Sequence, residues 1–305
     1  MGESALYKKV MRHKGMYLFL LPAIISVILF EYKPMIGVIM AFQDFNIYEG
    51  YMHSPFVGLK HFEAFLSNPD FFRALKNTIG LGSLSFIISF PIPIIFALLL
   101  NEFRFNFLKR ATQTISYLPH FISWIVVSTM VVKFLDQDTG VLNNILAMLN
   151  IDRIPFMRDP NYFWGVLIFT SIWKETGWNC IIYLAAISGI DQDMYEAAVI
   201  DGANRWKKII YITLPSIFPT IGLLLVLGIG SLISAGGLFD AIYNLQNPLI
   251  SEGSIILELY SYYEGIAFSR YSYAAAITLA QSLIALGMVL AANRIYKTLT
   301  QESIF

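Results

Sequence analysis

Lys174 and Glu175 stand side by side within an otherwise apolar run from 160 to 190, flanked by Trp173, Trp178 and Asn179. Such a pair suits two tasks. Ionisable groups inside a bilayer face a cavity or each other, and aromatic rings beside polar groups suit sugars, whose C–H faces stack and whose edges hydrogen-bond. Alternatively, the tryptophans belong to an interfacial belt and Lys174-Glu175 ends a span, because 31 residues exceed one crossing. Both readings stand open. Other chemistry is missing. No Gly-x-x-x-x-Gly-Lys-Ser/Thr run exists, so no phosphate cradle of that type can be built. His13, His53, His61 and His120 have neither HExxH nor Cys/His ligand spacing, and read as surface or interface residues. Cys180, the single cysteine, lies in an apolar run and supports no disulfide framework. No nucleophile–base pair or paired catalytic carboxylates stand out, so the chain reads as a non-enzyme.

A second polar cluster runs from Glu196 through Ala197, Ala198, Asp201, Gly202 and Ala203 to Leu214-Pro215, between uncharged runs at 176–190 and 209–239. A compact polar insert between two spans must lie in water. Glu196, Ala197 and Ala198 favour helix, with Glu196 read at the start of a short helix around Met194–Ala203. Gly202 suits a left-handed helix exit. Asn204 suits the cap of a second short helix, and Pro215 the first turn of the next span.

Composition sets the class that must position these groups. The 305 residues are 56% hydrophobic and 14% charged, with mean hydropathy +0.61 and zero net charge. Soluble domains carry roughly 25% charge. This composition predicts an all-α polytopic membrane protein, with nothing pointing to nucleic acid. No cleavable signal peptide is evident. Six spans are expected. The uncharged stretch 15–30 reaches about 24 Å as a helix, short of the roughly 30 Å hydrocarbon core. The first span therefore continues through Glu31-Tyr32-Lys33, with Pro34 kinking or ending it and Met35 to Phe42 too short to cross. The second lies within 77–101, kinked or broken at Pro91 and Pro93. The third takes most of 111–132 and the fourth lies within 160–190. The fifth starts near Pro215, where Gly228, Gly230, Ser231, Ser234, Ala235, Gly236 and Gly237 suit close helix packing. The sixth is 271–293. Residues 43–70, 133–159 and 238–270 are polar loops, and Tyr262, Tyr263, Tyr271 and Tyr273 read as an interfacial belt.

Twelve of the 21 Lys and Arg fall in four short segments: Lys8, Lys9, Arg12 and Lys14; Arg104, Lys109 and Arg110; Arg205, Lys207 and Lys208; Arg294 and Lys297. The bias of positive charge toward the cytoplasm puts these segments inside. The division is then a cytoplasmic segment 1–14, a membrane domain 15–296 with a loop at 191–215, and a cytoplasmic tail 297–305.

The spacing Glu196-Ala197-Ala198, three residues, Gly202, nine residues, Ile212, one residue, Leu214-Pro215 resembles the cytoplasmic loop of membrane subunits of binding-protein-dependent ABC importers, with no departure. Asn77-Thr78, the run Tyr117-Leu118-Pro119-His120-Phe121-Ile122-Ser123-Trp124, Phe239 to Asn244, and Ala292-Asn293-Arg294 look like the polysaccharide-type branch of sugar permeases. The resemblance covers nearly the whole chain. It implies a type I importer permease of six helices, with a cytoplasmic coupling helix between spans four and five seated on an ATPase. Glu196, Ala197, Ala198, Asp201, Gly202, Ala203, Leu214 and Pro215 would then couple, and Trp173, Lys174, Glu175, Trp178 and Asn179 would line the substrate path. It implies two ATPase subunits that hold ATP and Mg, no cofactor in this chain, a second permease forming a heterodimer, and an extracytoplasmic solute-binding protein. The cargo would be oligosaccharides or polysaccharide fragments, and the location a bacterial cytoplasmic membrane. The rivals are an importer for another solute class and an ion-coupled secondary transporter, for which Lys174-Glu175 is the one intramembrane relay candidate. An intramembrane enzyme is disfavoured.

Overall fold

The computed structural model describes residues 14–300. The expected cytoplasmic segment 1–14, save Lys14, and residues 301–305 of the expected tail lie outside the described residues. Within them the elements are helical, and the one β-type pairing is the bridge Gln43–Phe56. In chain order the principal helices are α1 (Gly15–Phe42), α2 (Pro69–Asn101), α3 (Asn106–Tyr117), α4 (Trp124–Leu135), α5 (Pro160–Ser188), α6 (Gln192–Ile200), α7 (Phe218–Gly230) and α8 (Tyr271–Thr300).

The expectation of six spans is corrected. Four helical runs are long and apolar enough to cross a bilayer: α1, α2, Phe218–Leu245 and α8. A fifth arises only if α3, extended by a 3₁₀ turn to Phe121, and α4 count as one span across a 99° bend. The third expected span is therefore not a straight helix. Pro119 removes a backbone donor, and Ile122 and Ser123 adopt extended torsions that end one helix and start the next. The fourth expected span, α5, is 29 residues long but is not one of the four apolar runs. Lys174, Glu175, Thr170, Ser171, Thr176 and Asn179 dilute its apolar character.

The first span differs too. Pro34 neither ends nor breaks it, and Met35 to Phe42 continue the run as helix. A π-turn over Ile28–Tyr32 shifts the hydrogen-bond register just before Pro34, with Lys33 N–H donating to Ile28 O. At Pro91 the backbone stays helical through Phe90 (φ −63°, ψ −44°), so α2 runs 33 residues. Near the expected start of the fifth span, Pro215 sits in the first turn of a short helix, Leu214–Ser216, and the apolar helix follows from Phe218. Its small residues split in function. A side chain at Gly228 would collide with Phe86, and one at Gly230 with Val289, as close packing requires. Ala235, Gly236 and Gly237 instead turn through positive φ (46°, 73° and 75°) and break the helix. The expected loop 238–270 is largely helical turns, with Ile256, Leu257 and Leu259 buried.

The chain divides into two compact units, Met1–Ser67 with Ser261–Leu279 and Asn68–Tyr260 with Ala280–Phe305. In the first, Phe45 N–H donates to Ser272 Oγ (2.9 Å), His61 Nε2 lies 3.0 Å from Gln43 O, and the Arg270 guanidinium sits 4.1 Å from the Tyr273 ring centre. Tyr273 is buried, so it is a packing residue rather than part of an exposed belt. In the second unit α5 is the axis. Phe163, Leu167, Ile168, Cys180, Tyr183 and Ile187 are buried along it, and Cys180, Tyr183 and Ile187 pack with Ile94, Ala97 and Leu100 of α2. A side chain at Gly177 would meet the carbonyl of Ser116, so α3 approaches the α5 backbone closely there.

Candidate coupling loop and intramembrane cluster

The loop that follows α5 is built by local capping. Asp191 caps α6, its side chain accepting from Asp193 N–H (3.0 Å). At the far end Gly202 N–H donates to Val199 O (3.1 Å) and Ala203 N–H to Ala198 O (2.8 Å). Those two bonds, with Gly202 at φ +73°, form a Schellman exit. Beyond its chain neighbours no atom stands within 4 Å of where a Gly202 Cβ would lie, so it is backbone torsion, not space, that favours glycine. Asn204 then caps Arg205–Lys208 through Lys207 N–H (2.9 Å). Glu196, Ala197, Asp201, Gly202 and Pro215 are exposed, and Ala198, Ala203 and Leu214 half-buried. Glu196 lies in the middle of α6, because the helix begins at Gln192. The expected place at the helix start, beside the positive end of its dipole, is thus corrected, and Asp193 occupies it. One long-range bond fastens α6: Tyr195 Oη lies 2.9 Å from Thr213 Oγ1. Beside it a cavity of about 580 Å³ is lined by Asn101, Glu102, Arg104, Arg205 and Lys208, with Arg205 Nε 3.9 Å from Glu102 Oε2.

The second cluster forms where the α3–α4 bend meets α5. Lys174 is 4% exposed. Its Nζ donates to His120 O (2.7 Å) and to Glu175 Oε1 (3.0 Å), and lies 5.3 Å from the Trp124 ring centre. The bend leaves carbonyls without helical donors, and the ammonium satisfies one of them. Glu175 Oε2 is 2.7 Å from His120 Nδ1. The His120 ring lies flat on Trp178, centroids 4.4 Å apart and planes 1° apart, with Phe121 edge-on to both. Of the five residues expected along the path, Lys174, Glu175 and Trp178 meet here. Asn179 is exposed nearby. Trp173 faces elsewhere, into an apolar cavity of about 690 Å³ with Val127, Met130, Phe134, Val166 and Phe169. Five residues of helix rotate a side chain by about 140°, which separates the two tryptophans. Sequence reasoning missed His120. Its signal was Pro119, one residue before it in an apolar run, marking a place where backbone groups need side-chain partners.

Among the described residues no group of three or more His, Cys, Asp or Glu could hold a metal ion. Residues 89–302 match the family described as binding-protein-dependent transport system inner membrane component. The chain belongs to that family. It is a multi-pass ABC-importer permease, a transport subunit rather than an enzyme, and ATP belongs to separate subunits of the assembly. This permease is 42% identical to Protein LplB of Bacillus subtilis (strain 168), over 96% of this chain and 92% of that one. It is 39% identical to the polygalacturonan/rhamnogalacturonan transport system permease protein YteP of the same organism, over 97% and 92%. Among solved structures, a bacterial ABC transporter involved in the import of the acidic polysaccharide alginate matches with TM-score 0.88 and 41% identity, over 97% of this chain and 99% of that one.

Proposed function

We propose that this permease passes oligosaccharides or polysaccharide fragments into the cytoplasm of a bacterium, delivered by an extracytoplasmic solute-binding protein and driven by two ATPase subunits. A second, different permease completes the pore. The observation that carries the reading is the full-length likeness to a polysaccharide importer at 41% identity. Loop 191–215 is the coupling element within a membrane domain 15–296, with Glu196 to Ala203 on the ATPase and Leu214-Pro215 leading into the next span. Both termini and this loop lie in the cytoplasm, a placement supported by the twelve clustered basic residues. Lys174, Glu175, Trp178 and Asn179 border the path. Trp173 borders it from the apolar cavity.

The test is reconstitution of the whole assembly in proteoliposomes and uptake of labelled alginate, polygalacturonan and arabinan oligosaccharides. ATP-dependent import of at least one is expected. Import driven by an ion gradient without ATP would overturn the reading. For orientation, single cysteines at Asn106 and Arg205 in a Cys180→Ala background should react with an impermeant thiol reagent only after the membrane is opened. Reaction in intact cells would reverse the orientation.

A further inference from the structure

The ionisable pair that marked the path is largely committed to partners inside the protein. Lys174 spends its ammonium on His120 O and Glu175 Oε1. Glu175 engages both carboxylate oxygens, one with Lys174 and one with His120 Nδ1. His120 is different. Nδ1 is engaged by the Glu175 carboxylate, and Nε2 is the ring's other polar atom, a hydrogen-bonding position in every protonation state of the ring. Among the described residues Nε2 has no hydrogen-bond partner, and the side chain is 30% exposed. A polar atom left facing hydrocarbon forfeits a hydrogen bond, so such groups in membrane proteins face a cavity or each other. Trp178, stacked on this ring, keeps 41% of its surface open.

We infer that His120 is the specificity-determining contact of the substrate path, resting on the saccharide reading above. Its Nε2 hydrogen-bonds a hydroxyl of the passing sugar while a sugar face lies against Trp178. Lys174 and Glu175 are positioning residues: they hold the bend and the ring.

The experiment uses the reconstituted assembly at saturating binding protein, with whichever of the three oligosaccharides the wild type imports and its monodeoxy analogues. In the wild type, one analogue should move about five- to tenfold more slowly than the parent, the size of one lost hydrogen bond. His120→Asn keeps an amide near Nδ1 but has nothing at Nε2, and should shrink that ratio to below about twofold. His120→Gln places an amide oxygen near Nε2 and should keep most of it. A purely structural role would slow parent and analogue alike and leave the ratio untouched, which would overturn the assignment. If His120→Asn does not assemble, His120→Phe, which keeps the stack on Trp178, makes the same comparison. Import of none of the three by the wild-type assembly would overturn the saccharide reading and this assignment with it. ATP-driven import with an unchanged ratio in the variant would overturn the assignment alone.

Discussion

The loop from Asp191 to Pro215 and the cluster around His120 are held by opposite kinds of bond. In the loop the shaping contacts are neighbours in sequence: Asp191 with Asp193, Val199 with Gly202, Ala198 with Ala203, Asn204 with Lys207. In the cluster the partners are 54 and 55 residues apart, Lys174 and Glu175 reaching across to His120. A loop of local caps keeps its shape while exposed to water and is suited to being gripped from outside. The cluster has a buried charge, Lys174, and a charge out of water is tolerable only when paired. Change in the loop should therefore act on the partner and spare the fold. Loss of the buried Lys174 charge should act on the fold.

The largest effect should come from Lys174→Met. It strips Glu175 of its cation and His120 O of its donor, and should cost about 3–5 kcal/mol, as loss of one member of a buried pair does. Thermal unfolding of the purified assembly reads this, and Lys174→Met with Glu175→Gln should recover part of it. A single variant as stable as wild type would remove the contrast between the regions. Next is Gly202→Val, which forces a β-branched residue to φ +73° at about 1–3 kcal/mol of local strain. Membrane insertion should be normal while co-purifying ATPase and uptake fall. Gly202→Asn should retain most of both, since asparagine tolerates the left-handed region. Unaltered coupling in the valine variant would show that the exit does not set the loop's geometry.

Asn204→Ala should be milder, about 1 kcal/mol for a lost cap, visible as a partial drop in ATP hydrolysis stimulated by loaded binding protein. Smallest in stability is Glu196→Lys. The residue is exposed in mid-helix, where the dipole contributes little, so thermal unfolding should barely move. Loss of co-purifying ATPase would then measure a contact with the partner, and full retention would remove Glu196 from the coupling surface.

Much of the loop was legible in one dimension, because caps are set by residues a few positions apart. Gly202 and Asn204 do the work their types suggest. The helix start did not follow the motif: Asp191, outside the Glu-Ala-Ala signature, captures Asp193 N–H and begins α6 two residues before Met194. Span counting went further astray. Apolar length indicates that a stretch tolerates lipid, not that it crosses straight. The 99° bend at Pro119 and the partly buried course of α5 both depend on what packs beside them.

Composition by itself determined that the chain lives in a membrane, the Glu196-to-Pro215 spacing carried the resemblance to importer permeases, and residue types marked the Gly202 exit and the Asn204 cap. The membrane follows from composition, and the exit and the cap from residues within a turn or so of each other. Tertiary structure alone decided that Lys174 serves the backbone of a bend, that Trp173 and Trp178 part company, and that one His120 nitrogen has no hydrogen-bond partner among the described residues. Those facts depend on α5 meeting the α3–α4 bend, a meeting of residues 54 and 55 positions apart that helical spacing does not encode.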